Sequence, residues 1–195
     1  DTVSFNIFNL NLTESAGFRL KKFNSGMLIS KGIISFRDGF LNCDSTIINI
    51  PELTLSGDST GSFGDFINKV RIKAIFENSL INSSDLSHFI PAVKDINSSL
   101  SFSGKISGTV SELRGRDIKI EFRDYSSLDC DFDISGLPDL NNSYIYLGVN
   151  KLITNSIDLE KIILPGKKKI ELPGLAYKLG DMIFEGSFKG FLTDF

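Results

Sequence analysis

The residues best suited to chemistry are few. His88 is the only histidine in 195 residues, and it follows Ser87 directly and Asp85 by three positions. Ser, His and Asp are the residue types of an acyl-transfer triad. A working triad needs the base within hydrogen-bond reach of the nucleophile and the acid behind the base. Three near-neighbours on one helical turn do not give that arrangement, so the chain is read as a non-enzyme. Asp129, Asp131 and Asp133 could offer carboxylates to calcium, but they alternate with Cys130, Phe132 and Ile134. That alternation places them on the wet side of a strand, without the spacing of a calcium loop. Cys43 and Cys130, with one histidine, are too few for a structural zinc site. Both keep step with apolar neighbours (Leu41, Leu128) and read as small buried hydrophobes in equivalent positions of two units. A disulfide between them is left open, because sequence does not fix its geometry. No glycine-rich phosphate loop is present. No catalytic, metal-binding or cofactor-binding residue is therefore expected.

Charge narrows the partners. The formal net charge is −3, and the longest basic run, Lys167-Lys168-Lys169 after Pro165-Gly166, reads as a solvated turn. No basic patch suggests nucleic acid. Asn-x-Ser/Thr triplets at Asn11, Asn82, Asn97 and Asn141 read as chance in a chain rich in Asn and Ser. No stretch approaches the roughly 20 apolar residues of a membrane-spanning helix. The chain opens at Asp1 without Met and stops at Phe195 within an expected strand, so it reads as an excerpt from a longer protein.

The elements that would position any site are strands. Phe is frequent, at 17 residues, and Trp is absent, a composition that favours pleated, half-buried surfaces. Over residues 100–110 the even positions are Leu, Phe, Gly, Ile, Gly and Val, with Ser, Lys and Thr between them. Residues 182–190 and 117–123 alternate in the same way, which predicts antiparallel sheet with one apolar and one wet face. Further strands are expected over 3–12, 27–36, 40–50, 53–57, 69–77, 128–134, 144–150 and 169–172. Turns are expected at Asp38-Gly39, Ser56-Gly57-Asp58, Gly115 and Gly136-Leu137-Pro138-Asp139. Two short helices are expected, over 84–90 and 156–164, each opened by Ser and Asp and stopped by Pro91 or Pro165.

The chain also repeats itself. Phe102-Ser103-Gly104-Lys105-Ile106-Ser107-Gly108 returns as Phe184-Glu185-Gly186-Ser187-Phe188-Lys189-Gly190, an offset of 82. Leu41-Asn42-Cys43-Asp44 returns as Leu128-Asp129-Cys130-Asp131 at an offset of 87, and Phe36-Arg37-Asp38 as Phe122-Arg123-Asp124 at 86. We therefore expect residues 1–31 to close a preceding unit, 32–112 to form one β repeat and 113–195 a second, within one continuous sheet. Gly104, Gly108, Gly186 and Gly190 fall on the apolar phase. They mark either a bulge that bends the sheet or a smooth strip where a ligand or another backbone lies close.

At this point a family resemblance enters. Gly17-Phe18-Arg19-Leu20-Lys21-Lys22-Phe23, Asn42-Cys43-Asp44-Ser45, Ser103-Gly104-Lys105-Ile106-Ser107-Gly108 and Phe132-Asp133-Ile134-Ser135-Gly136-Leu137-Pro138-Asp139 resemble the AsmA-like superfamily. The likeness is to its TamB branch (translocation and assembly module) of the Bacteroidota type, and covers nearly the whole chain. The resemblance implies a mainly β protein whose antiparallel strands form an elongated, curled sheet or open groove. It implies a Gram-negative periplasmic location, with the full-length protein anchored in the inner membrane through parts absent here. The implied activity is lipid transport in outer-membrane biogenesis, with phospholipid acyl chains and outer-membrane assembly proteins as partners. The groove lining would then comprise Phe102, Gly104, Ile106, Gly108, Ile118, Ile120, Phe122, Phe132, Phe184, Gly186, Phe188 and Gly190. The alternative expectation is a structural or adhesive cell-envelope repeat without lipid transfer. A glycan-binding domain is a third, disfavoured by the absence of Trp.

Overall fold

The computed structural model describes residues 2–14, 18–87, 99–122, 125–139, 142–160, 163–164, 168–169, 174 and 176–191. The protein is mainly β. Its first nine strands are β1 Val3–Thr13, β2 Arg19–Ser30, β3 Ile33–Asn42, β4 Ile47–Ser56, β5 Arg71–Asn82, β6 Ser99–Gly108, β7 Glu112–Phe122, β8 Ser126–Ser135 and β9 Tyr144–Thr154. The last three are β10 Ile163–Leu164, β11 Lys168–Lys169 and β12 Met182–Phe191. Ten of them form one antiparallel sheet in the order β1 to β9 and then β12, while β10 and β11 pair with each other. Short helices α1 Phe66–Lys69, α2 Ser83–Leu86 and α3 Ser156–Glu160 sit in the connections. The principal strand contacts are all between neighbours in the ladder.

The sheet is open and uncurled, with β1 and β12 as its two edges. The curl into a groove that the resemblance implies is not a feature of the described residues. Among those residues no second layer packs on either face. The accessible surface is 12268 Å² for a 21.5 kDa chain, against roughly 9,200 Å² for a folded monomer of that mass. The fully buried apolar side chains are accordingly few: Cys43, Val70, Ala74, Ile118 and Cys130.

Pairing repeats every four strands. In β5 the interval Phe76 to Ser79 lies opposite the shorter interval Gly104 to Phe102 of β6. The same mismatch sets Val149 to Leu152 of β9 against Gly186 to Phe184 of β12, and Ile7 to Leu10 of β1 against Ser25 to Phe23 of β2. The next ladder over also bulges in register. Arg37 to Phe40 of β3 faces Gly26 to Asn24 of β2, and Arg116 to Lys119 of β7 faces Lys105 to Ser103 of β6. Inside these bulges Asp38 (φ 52°) and Asp117 (φ 55°) are left-handed, as are Asn9 and Asn78 at 56° and 42°. Asn and Asp carry that conformation at lowest cost after glycine. Four strands at about 4.8 Å spacing add roughly 19 Å of sheet per unit.

Several strand boundaries differ from the sequence expectation. Asp38-Gly39 is a bulge inside β3 and not a turn, and Gly115 lies buried within β7. The reversals fall at Lys31-Gly32 and at residues 43–46, so the expected strands 27–36 and 40–50 are redivided. Cys43 lies in the reversal after β3 and Cys130 in the middle of β8. They are not equivalent positions, because pairing aligns Thr46 of the first unit with Ser126 of the second. The helices are shorter than expected and are capped by asparagine: Asn82 accepts from Ser84 N at 2.9 Å and Asn155 from Asp158 N at 2.8 Å. The stops at Pro91 and Pro165 lie outside the described residues.

Candidate functional site: the apolar face of the sheet

Strand partners opposite one another share a face, so the registers place every residue of the expected lining. Phe102 pairs with Ile120, Ile120 with Leu128, Leu128 with Leu152, and Leu152 with Phe184. A second row runs Ile106, Gly115, Phe132, Leu147, Phe188, and a third Gly108, Leu113, Ile134, Ile145, Gly190. Ile118, Cys130, Val149 and Gly186 make a fourth, and Leu100 sits opposite Phe122 beside it. Gly104 lies opposite Phe76. All twelve residues therefore stand on one face, although they come from four strands.

That face continues beyond them. Phe76, Ala74 and Ile72 of β5 lead to Leu53 and Leu55 of β4, and these to Phe36 and Ile34 of β3 and to Met27 and Ile29 of β2. Phe23 and Phe36 meet edge-on at 6.4 Å, as do Phe76 and Phe102 at 5.3 Å. These residues follow the same two-residue period as the twelve. Within each strand no bulge separates them, so the alternation alone already carries them. The opposite face is charged, with Lys105 paired to Asp117 and Arg116 to Asp133 at 2.6 and 2.7 Å. Such exposed pairs contribute little stability. The Lys105 ammonium nevertheless holds the Asp117 carboxyl below its ordinary range, through a hydrogen bond and then charge.

At one end of the apolar face lies a cavity of about 160 Å³ lined by Phe18, Leu41, Cys43, Thr46, Ile48, Ile81 and Asp85. In the second unit polar contacts occupy the corresponding place. Asp158, only 4% exposed, accepts from Ser126 Oγ at 2.7 Å, and that hydroxyl also meets Thr154 Oγ1 at 2.9 Å. Ile81 stands where Thr154 does, so the first unit lacks this network. Its Asp85 instead accepts from Ser45 N at 2.8 Å. Asp85 and Asp158 are thus structural anchors between a short helix and the preceding strand reversal.

The residues considered for chemistry are engaged elsewhere or lie outside description. His88 falls outside the described residues, as do Lys167, Asn97 and Asn141. Ser87 Oγ donates to the Ser84 carbonyl at 2.6 Å. Asp129 accepts from Asn150, Asp131 from Asp117 N, and Asp133 from Arg116. Among the described residues no metal-binding cluster occurs, and no helix is long and apolar enough to cross a membrane.

Cys43 and Cys130 are both free and buried. Burial pushes both thiols up, and the nearby Asp85 and Asp44, or Asp131 and Asp129, push the same way. A raised pKa in the fold means that the unfolded chain loses its thiol protons first. The resulting stability is complete below the ordinary thiol pKa of about 8.5 and is lost as pH climbs above it. At pH 8 iodoacetamide should label neither thiol in the folded chain and both after unfolding. Native labelling as fast as that of free cysteine would contradict the placement.

No family profile, curated protein or solved structure matches the chain.

Proposed function

We propose that the chain is a section of a periplasmic, AsmA/TamB-like β-groove protein. Its apolar face shields phospholipid acyl chains on their way between inner and outer membranes. The observation that carries this reading is the largely apolar face, which runs from β2 to β12 without a covering layer among the described residues. Ten strands at about 4.8 Å span roughly 45 Å across, long enough for several lipid tails side by side. Each methylene moved from water onto such a surface gains at most about 0.8 kcal/mol. Affinity then comes from area, and no single residue carries the activity. The cavity beside Cys43 suits the tip of a chain, since dry apolar cavities of about 150 Å³ accept small hydrocarbons.

A photo-crosslinker at Phe102, Ile106 or Phe188, with the protein held in phospholipid vesicles, should yield lipid adducts. The same probe at Ser107 on the wet face should not. An intact sheet that gives no adduct at any of the three apolar positions would leave the structural envelope repeat as the better reading. The periplasmic location and the link to outer-membrane assembly rest on the family resemblance alone.

A further inference from the structure

The glycines of β6 are imposed by the strand beside them. Gly104 has φ +147°, and a Cβ there would lie 2.6 Å from Ile118 Cδ1 and 3.0 Å from Ile118 Cα of β7. A Cβ on Gly108 would lie 2.0 Å from the Glu112 carbonyl oxygen, at the start of the same strand. The two-way nature of this fit is visible in the preceding unit. There Ser25 of β2 stands in the place of Gly104, and Gly39 of β3 in the place of Ile118. A bulky residue on one side of the bulge is matched by a small one on the other.

Gly186 and Gly190 occupy the corresponding places in β12, but among the described residues no strand lies on that side. The nearest atoms to a Cβ on Gly186 belong to the ring of Phe184, a residue 53% exposed and able to turn away. Nothing in the described chain therefore requires a glycine at 186. What would require it is a neighbour of the β7 kind, with a left-handed Asp followed by Ile at the bulge.

We propose that the free edge of β12 is a docking site for an antiparallel polypeptide strand with the pattern of β7, Leu-x-Gly-x-Asp-Ile-x-Ile. Carried over from β6 and β7, the register sets Phe188 opposite the pattern's Gly and Phe184 opposite its last Ile. The apolar face would continue onto the added strand, and backbone hydrogen bonds would supply most of the affinity, as in other strand additions. A strand of the β3 kind fits less well, since its Gly39 would face Gly186 and leave a gap. Pairing of β12 with β1 of a second copy is disfavoured as well. The only other open edge of this sheet is β1, which has the bulge pattern of β5 and not that of β7.

The test uses the 195-residue chain with a synthetic peptide of the sequence of residues 112–122. Amide exchange in residues 182–191 should slow at least about tenfold on saturation. A peptide with Asp and Ile exchanged should bind at least about tenfold more weakly. Gly186→Val should weaken the native peptide similarly while leaving the melting temperature of the free chain unchanged. Equal binding of the two peptides, or protection appearing in β1 and not β12, would overturn the proposal. So would self-association of the chain alone that protects β12 and excludes the peptide. Loss of stability in the free Gly186→Val chain would show that the glycine serves the fold already present, which also overturns it.

Discussion

Ile118→Ala is expected to lower the unfolding free energy by about 2–5 kcal/mol, the range for emptying a well-packed aliphatic site. Ile118 is 1% exposed, the largest side chain buried so completely among those described. A single-layer sheet has few such positions, so each carries a larger share of the total. The side chain sits over Gly104, whose missing Cβ makes its room, and pairs with buried Cys130. Two strand interfaces thus depend on it. Urea unfolding followed by circular dichroism would measure the change. A loss below about 1 kcal/mol would mean that the site collapses freely and that Ile118 does not organise the centre of the sheet.

Gly104→Ala is expected to destabilise by about 3 kcal/mol or more, combining an unfavourable φ with the overlap on Ile118. Ser107→Ala, on the wet face of the same strand, should stay within about 0.5 kcal/mol. The decisive measurement is the double mutant. If Gly104 is glycine because Ile118 fills its space, then Ile118→Ala should relieve part of the Gly104→Ala penalty. The pair should therefore cost clearly less than the sum of the two single changes. Strict additivity would detach the glycine from its neighbour and leave backbone conformation as its only cause.

The alternation of apolar and polar residues made the strand class legible. It also put the twelve expected residues on one face, because a two-residue period survives any error about which strand pairs with which. Boundaries were harder. Asp38-Gly39 has the composition of a turn, yet the chain continues straight through it. Only the pairing of β3 with β2 and β4 distinguishes a bulge from a reversal. Cys43 and Cys130 shared a local phrase, Leu-x-Cys-Asp, at an offset of 87. Thr46 and Ser126, which pairing makes equivalent, are 80 apart. A short identity in a chain this rich in Asp and Ser outranked the true correspondence. The caps fell earlier than expected, by two residues at Asn82 and by one at Asn155, because an asparagine carbonyl reaches the exposed amides as well as a serine hydroxyl does. The network of Asp158, Ser126 and Thr154 in the second unit left no trace in sequence. Its members lie far apart, and Asp158 was legible only as part of a helix opening.

The ladder in which each strand meets only the next has a mechanical meaning. Such a sheet has no hub whose loss brings down the whole, and its cohesion is that of links in a row. Damage at one link frees the lengths on either side to persist with their own hydrogen bonds. Length itself can be added or removed without redesigning what remains. A molecule of this kind is specified by a rule for the next strand, and its reach is set by how many times the rule is applied.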